Sequence, residues 1–294
     1  MKAPWRKIAI LGGTGRMGRW FASQFKELGL EVYILSRRRE KAVKTAGELG
    51  VEAASLKDLS KFDLLLLSTP IAETPRLVLE AAGKLAEGAT LTEICSVKAN
   101  VVKALEEAVK RFKVKAVSLH PLFGPGAAGF KGQRVAVIPV KDCLETAEAM
   151  ADFLKSVGAK VVWVESAARH DAMVAFTLAL PHFINIVFGL TLAGKPIRQL
   201  NNYAGTTFKL QKTLCESVLQ EDPETYASIQ IYNPYFRRLL RILRSEMERL
   251  GKAVESRDTD KFKRIFMRAV RSLKADPEFA EAYRRFYRAL EVLD

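Results

Sequence analysis

The sequence predicts an α/β fold in which a doubly wound, mostly parallel sheet is followed by an all-helical C-terminal domain. Short β-branched or leucine-rich runs alternate with amphipathic stretches from residue 7 to about residue 165. Beyond residue 166 the strand-like runs stop and long helical periodicities follow. A chain of 294 residues approaches the length at which a single core stops growing. We therefore expect two domains, 1–166 and 167–294.

Each predicted strand is short and apolar, and most are followed by a helical pattern, as a parallel sheet requires. The predicted strands are 7–11, 31–35, 63–68, 90–95, 116–120, 134–140 and 160–164. The predicted helices between them, several of which end at a glycine, are 16–29, 39–50, 74–86, 100–112 and 143–158. In the C-terminal domain the predicted helices are 167–193, about 196–221, 223–256 and 258–291.

Composition places the chain among globular proteins, with 49% hydrophobic and 27% charged residues. The net charge of +14 raises nucleic acid as a partner. Much of that charge lies in the C-terminal third, where basic and apolar residues alternate at helical spacing. Solvated helix faces explain this pattern better. We expect no nucleic-acid partner, although the field would favour a small anionic substrate.

The longest apolar stretch, 172–193, is interrupted by Pro181, His182 and Asn185, so we expect a buried helix and no membrane span. The N-terminal apolar run leads directly into a glycine motif and lacks a signal-peptide cleavage pattern, so we expect a cytoplasmic protein. Three widely spaced cysteines support neither disulfides nor a metal site, and we interpret them as small buried side chains: Cys95, Cys143 and Cys215.

A glycine motif joins the first predicted strand to the first predicted helix. It comprises Gly13, Thr14, Gly15, Arg16, Met17 and Gly18. In this position, glycines permit a tight turn, close approach of the backbone to a pyrophosphate and packing of helix on strand. The motif predicts a Rossmann-type dinucleotide-binding domain. The alternative is an ordinary turn in another α/β protein.

The end of the second predicted strand indicates which dinucleotide binds. NAD-binding proteins usually carry an acidic residue there for the ribose 2′-hydroxyl. This chain has Ser36, Arg37 and Arg38 instead, which suit a 2′-phosphate. We expect NADP to be preferred, with NAD possible; the alternative is that the arginines begin a solvated helix. The loop after the third predicted strand should face the nicotinamide half, through Ser68, Thr69, Pro70 and Ile71.

His120, one of three histidines, ends a predicted parallel strand, and Ser96 ends the preceding one. Ligands bind at this carboxyl edge of such sheets. A nicotinamide enzyme that oxidises an alcohol needs a base near the hydroxyl group, and a neutral imidazole suits that task. We expect a hydrogen-bonded pair of His120 and Ser96 beside the nicotinamide.

Six sequence blocks occur in order across nearly the whole chain, at 12–18, 64–71, 95–101, 118–125, 168–183 and 221–234. Together, and chiefly through CSVKANV and SLHPLFGP, they resemble the prephenate dehydrogenase family of tyrosine biosynthesis. The resemblance implies oxidative decarboxylation of prephenate, arogenate or both, with hydride transfer to the nicotinamide. It implies that His120 polarises the 4-hydroxyl group of the substrate and that Ser96 orients the imidazole. It also implies a homodimer whose helical domain serves in dimerisation. We expect the site to lie in the cleft between the two domains.

The resemblance extends to the helical region. It implies that His182 lies near the substrate carboxylates or the nicotinamide, and that Asp171 joins a polar network at the entrance. Many family members carry a carboxylate-binding arginine nine residues before the aromatic residue that is Tyr226 here, but this chain has Ser217. A hydroxyl group cannot supply a bidentate charged pair. Lys209 or Lys212 would substitute for it, or another basic residue would, or the substrate binds differently.

Alternatives remain at this point. One is another reductase with a Rossmann and a helical domain, of the β-hydroxyacid dehydrogenase or imine reductase type, which would depend on a lysine in the helical domain. A second is a non-catalytic protein that senses NADP or binds nucleic acid. Because the chain ends with a predicted helix and leaves no residues for an appended domain, we expect a monofunctional enzyme.

Overall fold

The computed structural model describes residues 4–292. Residues 1–3 and 293–294, at the ends of the two predicted domains, lie outside the described residues. The described chain forms two compact units: the first holds 4–177 and Glu224–Tyr235, and the second holds Leu178–Pro223 and 236–292. The sequence predicts a single division at residue 166, whereas in the structure a short later segment returns to the first unit.

The first unit contains an eight-stranded sheet. Its strands are β1 (Lys7–Leu11), β2 (Glu31–Leu35), β3 (Glu52–Ala53), β4 (Leu64–Leu67), β5 (Thr90–Glu93), β6 (Lys115–Pro121), β7 (Arg134–Pro139) and β8 (Lys160–Trp163). The order is β3-β2-β1-β4-β5-β6-β7-β8, and all neighbours are parallel except β6 and β7. This confirms the predicted fold class and all seven predicted strands; the short edge strand β3 escaped prediction.

Helices cover both faces of this sheet. The helices of the described chain are α1 (Arg16–Glu27), α2 (Arg39–Leu49), α3 (Thr74–Ala82), α4 (Ala99–Phe112), α5 (Leu144–Ser156), α6 (Ala167–Val174), α7 (Leu180–Leu192), α8 (Ile197–Asn202), α9 (Thr206–Leu219), α10 (Pro223–Tyr232), α11 (Phe236–Glu255), α12 (Thr259–Leu273) and α13 (Ala282–Leu290). Residues of α1 and α5 join one buried apolar cluster, and residues of α3 and α4 join the other. Strands buried on both faces explain the continuous apolar runs, such as the four leucines of β4.

The predicted long C-terminal helices are interrupted in the structure. The predicted helix 223–256 breaks between α10 and α11 at Pro234, because proline lacks the backbone N–H and disfavours helical backbone in the preceding residue. The predicted helix 258–291 breaks after α12, in the segment that contains Pro277, for the same reason. The predicted helix 196–221 breaks before Gly205, which is the N-cap of α9. Sequence periodicity found the helical regions but overestimated their lengths.

The apolar run Ala167–Leu192 comprises α6, one π-helical turn and α7. It is long and apolar enough to cross a membrane, with a mean hydropathy of 1.8, although core helices of soluble proteins meet the same criterion. The predicted burial is wrong for α7 in the single chain: Asn185 is its buried residue, and side chains such as Ile184 and Leu190 are exposed. Two exposed large apolar side chains on one helix make this face a candidate interaction surface.

The three cysteines match the prediction. Each is free and buried in the structure. Burial raises the pKa of Cys143 and of Cys215 above the ordinary thiol value. Buried thiols of this kind behave as small apolar side chains.

Candidate functional site

The glycine turn between β1 and α1 has two positions, Gly12 and Gly18, at which the surrounding backbone leaves no room for a side chain. Gly12 adopts φ +85°, and a Cβ on Gly12 would lie 2.2 Å from the Ser68 carbonyl oxygen. A Cβ on Gly18 would lie 2.4 Å from the Gly12 carbonyl oxygen. Gly15 is the N-cap of α1, whose first turn carries no acidic residue. Backbone N–H groups and the helix dipole at this end suit a pyrophosphate, so the turn fits a dinucleotide.

An open pocket of about 570 Å³ lies beside this turn. Its lining residues are Thr14, Ser36, Arg37, Arg38 and Lys41. The structure thus brings together one predicted motif residue and the three residues that follow β2. Within residues 4–292 no carboxylate lines the pocket, although Glu73 contacts Arg37 from outside it, with 3.3 Å between Oε2 and the guanidinium. The pocket therefore offers a hydroxyl-rich, cationic surface to an anion.

The loop that follows β4 holds Ser68, Thr69, Pro70 and Ile71 beside the glycine turn. Its conformation is held by Thr74 at the start of α3, which is fully buried. The Thr74 hydroxyl lies 2.7 Å from the Thr69 hydroxyl and donates to the carbonyl of Pro70 at 2.9 Å. Ser68 donates its N–H to the carbonyl of Leu11, next to the turn. The predicted cofactor loop is thus fixed at the carboxyl edge of β1 and β4.

His120 lies near the end of β6 and is 4% exposed. Its Nδ1 lies 2.9 Å from Nε2 of His170, which is on α6. Nδ1 of His170 in turn lies 2.9 Å from Oδ1 of Asp171. Burial, then the neighbouring His170 and Lys98, hold the pKa of His120 well below its usual value. Burial also lowers the pKa of His170, so both rings are neutral at physiological pH.

Asp171 is fully buried and anchors this chain of groups to α4. The backbone N–H of Lys98 donates to its Oδ1, and the N–H of Ala99 donates to its Oδ2, both at 2.8 Å. These are free N–H groups at the helix start, where a carboxylate is favoured. Asn233, which follows α10, donates its side-chain N–H to the Asp171 carbonyl at 2.9 Å. This bond ties the returning segment to the site.

A buried ion pair contacts the backbone directly before His120. Lys98 and Glu93 are both fully buried, with 2.8 Å between Nζ and Oε1. Nζ also donates to the carbonyl of Leu119, the residue before His120. The Glu93 carboxylate accepts two further bonds, from the Ser118 hydroxyl and the Cys95 N–H. The ion pair and its hydrogen bonds therefore connect the backbone next to Ser96 with the backbone next to His120.

Ser96 follows β5, half-buried, at the same edge of the sheet. The predicted hydrogen bond between Ser96 and His120 is not among those of residues 4–292; the imidazole partner is His170. The reason is that α6 brings His170 against the Nδ1 side of the ring. This leaves Nε2 as the ring nitrogen on which Ser96 or a substrate can act.

The other predicted substrate-binding residues belong to the second unit. His182 follows Pro181 in the first turn of α7, and burial lowers its pKa to about 4. On α9, Lys212 forms an ion pair with Glu216 at 3.1 Å, and the Ser217 hydroxyl donates to the Leu214 carbonyl. Lys209 is exposed on the same helix. Lys212 is thus half-buried and already engaged by a carboxylate, whereas Ser217 and Lys209 face outward.

Sequence reasoning missed several residues of the site or gave them no role. They are Gly12, Lys41, Thr74, Glu93, His170 and Asn233. Lys41 has a readable signal, since it lies one helical turn after Arg38. Gly12 has a sequence signal too, since it directly precedes the glycine motif. Glu93 and Asn233 carry no local signal, because their partners are distant in the sequence.

Comparisons with known proteins agree with this geometry. Residues 21–163 match the family described as "Prephenate dehydrogenase, nucleotide-binding domain", and residues 166–268 match "Prephenate dehydrogenase, dimerization domain". A "probable arogenate/prephenate dehydrogenase" of Methanocaldococcus jannaschii is 29% identical over 94% of the chain. A "4-amino-4-deoxyprephenate dehydrogenase" of Streptomyces pristinaespiralis is 29% identical over 88% of the chain. The chain spans 63% of the length of the first relative and 88% of the second.

Solved structures share the fold. The crystal structure of prephenate dehydrogenase from A. aeolicus, in complex with hydroxyphenyl propionate and NAD+, superposes with a TM-score of 0.73. The alignment covers 92% of this chain and 98% of that one, at 22% identity. At this identity the similarity establishes the fold.

Proposed function

Because the chain belongs to the prephenate dehydrogenase family, we propose that it oxidatively decarboxylates prephenate to 4-hydroxyphenylpyruvate in tyrosine biosynthesis. The observation that carries this proposal is the buried, neutral imidazole of His120 at the carboxyl edge of the sheet. A neutral imidazole accepts a hydrogen bond from the 4-hydroxyl group of the substrate. A protonated one would repel the positive charge that develops as hydride leaves.

The reaction breaks two bonds of the substrate. A nicotinamide nucleotide held at the glycine turn would supply the acceptor for the hydride that leaves C4. The bond between the ring and its carboxylate then breaks, CO2 departs, and the electron pair stays in the ring, which becomes aromatic. The oxygen at C4 keeps its proton in the phenol product, so His120 polarises the O–H bond without net proton transfer. The protein's contribution is therefore positioning and electrostatic stabilisation, with Ser96 proposed to orient the hydroxyl group.

His120→Asn tests the catalytic assignment. We expect prephenate turnover to fall by about 10²- to 10⁴-fold, the usual contribution of a positioned acid or base. Binding of NADP+ to the same variant should be unchanged, since His120 lies outside the glycine turn and the basic pocket. Near-normal turnover would refute the mechanism and favour a reductase that uses a lysine of the helical domain. Absence of any substrate-dependent NADPH signal in the wild-type protein would favour a non-catalytic role.

We propose that NADP is the preferred cofactor and that NAD is a poorer one. The pocket beside the glycine turn supports this, because it is lined by Ser36, Arg37, Arg38 and Lys41 and by no carboxylate of the described residues. An acidic residue after β2 would instead bind the 2′-hydroxyl of NAD and repel a 2′-phosphate.

Arg38→Ala tests the cofactor proposal, with Arg39→Ala as the matched control. Arg39 is the next residue and is exposed, but it does not line the pocket. Loss of a charged hydrogen bond of about 1.5–3 kcal/mol should raise the KM for NADP+ about 10- to 150-fold in Arg38→Ala. The KM for NAD+ should change little, and Arg39→Ala should resemble wild type. Equal use of NAD+ and NADP+ by the wild-type protein would overturn the preference.

We propose an anionic substrate, prephenate or arogenate, whose carboxylates are held by His182 and by basic residues that replace the missing arginine at Ser217. Asp171, which is fully buried, acts through His170 and does not contact the substrate. Lys209 and Lys212 are the candidates on α9. Steady-state kinetics with prephenate and with arogenate, each with NADP+ and NAD+, separate the substrates. Lys209→Gln and Lys212→Gln, assayed singly, identify the group that raises KM when its charge is lost.

We propose a cytoplasmic homodimer. The exposed apolar side chains of α7 and the match to a dimerisation domain over residues 166–268 support the dimer. Three free, buried cysteines suit a reducing compartment. Light scattering at micromolar concentration should give the mass of two chains, and a monomer would count against the proposal.

A further inference from the structure

Three polar side chains of the first unit form a continuous hydrogen-bonded series that ends at His120. Asp171 contacts Nδ1 of His170, and Nε2 of His170 contacts Nδ1 of His120, each at 2.9 Å. The three side chains are 0%, 3% and 4% exposed, in that order, so water does not compete for these bonds. His170 contributes one ring nitrogen to each of the two bonds. The direction of donation at one end therefore sets the direction at the other.

Asp171 sets that direction. Its two oxygens accept the N–H groups of Lys98 and Ala99 at 2.8 Å. Two backbone N–H donors at the start of α4 favour the ionised carboxylate, and an ionised carboxylate can only accept hydrogen bonds. Nδ1 of His170 must then donate its proton to Asp171. A neutral imidazole carries one N–H, so Nε2 of His170 is the acceptor.

The same reasoning applies to the second ring. Because Nε2 of His170 accepts, Nδ1 of His120 donates. Burial lowers the pKa of both rings, which keeps them neutral and keeps this alternation in force. Nε2 of His120 then carries the lone pair. This is the atom that must accept a hydrogen bond from the substrate hydroxyl group.

We infer that His170 is a positioning residue that, together with Asp171, holds His120 in the tautomer with its proton on Nδ1. This inference deepens the proposed function and rests on it for its catalytic consequence. In the opposite tautomer, Nε2 of His120 would be a donor and could not accept from the hydroxyl group. Fixing a tautomer through a buried partner is a general device of histidine sites.

Two substitutions of His170 test the inference, one that keeps a hydrogen-bond acceptor for His120 and one that removes it. His170→Gln keeps an amide oxygen near the position of Nε2, which can still accept from Nδ1 of His120. His170→Phe fills similar space without an acceptor. Asp171→Asn is less informative, because an amide offers one acceptor where the Lys98 and Ala99 N–H groups need two. Arg169→Gln is the control, since it changes an exposed residue of the same helix.

The direct readout is the tautomer of His120, from ¹⁵N chemical shifts of the imidazole nitrogens at neutral pH. With three histidines in the chain, substitution of each one assigns the signals. We expect protonated Nδ1 and unprotonated Nε2 on His120 in the wild type, in Arg169→Gln and in His170→Gln. In His170→Phe the signal should shift towards protonated Nε2. A wild-type His120 protonated on Nε2 would overturn the inference.

The second readout is turnover. We expect kcat to fall about 10²-fold in His170→Phe, with recovery to within about tenfold of wild type in His170→Gln. The KM for NADP+ should not change, whereas general unfolding would affect it, and circular dichroism checks the fold. Equal kcat in His170→Phe and wild type would refute the positioning role. If the wild type turns over neither prephenate nor arogenate, the proposed function fails, while the ¹⁵N shifts still decide the tautomer.

Discussion

Removal of the buried Lys98 ammonium group should destabilise the first unit strongly. Lys98 and Glu93 are both fully buried, and Nζ makes two hydrogen bonds, to the carboxylate and to the Leu119 carbonyl. In Lys98→Met the volume is nearly kept, but the Glu93 carboxylate loses its counter-charge. Breaking one side of a buried ion pair costs about 3–5 kcal/mol. At about 2–4 °C per kcal/mol for a unit of this size, the midpoint of thermal unfolding should fall by roughly 6–20 °C.

The double variant isolates the cause. In Glu93→Gln/Lys98→Met neither residue of the pair carries a charge, and the amide oxygen can still accept from the Ser118 hydroxyl or the Cys95 N–H. Its midpoint should recover at least half of the loss, because the penalty comes from an unpaired charge and not from lost packing. Lys113→Met is the control, since Lys113 and Glu87 form an exposed pair that should contribute nothing measurable. Differential scanning calorimetry measures all four proteins. A Lys98→Met midpoint within 2 °C of the wild-type value would refute this reasoning.

Three further predictions follow from local geometry and charge. Gly18→Ala should weaken NADP+ binding at least tenfold in titration calorimetry and lower the free energy of unfolding by about 1–3 kcal/mol, because the new Cβ would lie 2.4 Å from the Gly12 carbonyl oxygen. Gly47→Ala on α2, whose Cβ would meet nothing within 4 Å, should leave binding unchanged. Stability should fall as the pH drops from 6.5 towards 4, because the pKa of each of the three histidines is lowered in the folded state. The unfolded chain therefore binds more protons in this range, and the free energy of unfolding should fall by up to about 1.4 kcal/mol per pH unit for each histidine. A thermal midpoint that stays level between pH 7 and pH 5 would contradict this prediction. Asp258→Ala should cost about 1 kcal/mol in urea unfolding, since its carboxylate caps α12 by accepting the Lys261 N–H at 2.8 Å; an unchanged midpoint would show that this cap contributes nothing.

Local patterns in the chain were enough to predict the sheet and the cofactor turn. A buried strand reveals itself through its own apolar run, and β1 and β2 begin and end where the sequence predicts. The glycine motif is local in the same sense, because its spacing follows from one strand, one turn and one helix. His120 was found because the carboxyl edge of a parallel sheet is defined by where each strand ends.

Distant pairings required the folded structure. His170 lies 50 residues after His120, and Asn233 lies 62 residues after Asp171, so no short-range pattern links either pair. The antiparallel step between β6 and β7 and the return of residues 224–235 to the first unit are equally non-local. Apolar periodicity reports which face of an element is buried, but not what lies against it. The partner of the His120 imidazole, and with it the proton position on which the chemistry depends, is therefore a property of tertiary packing.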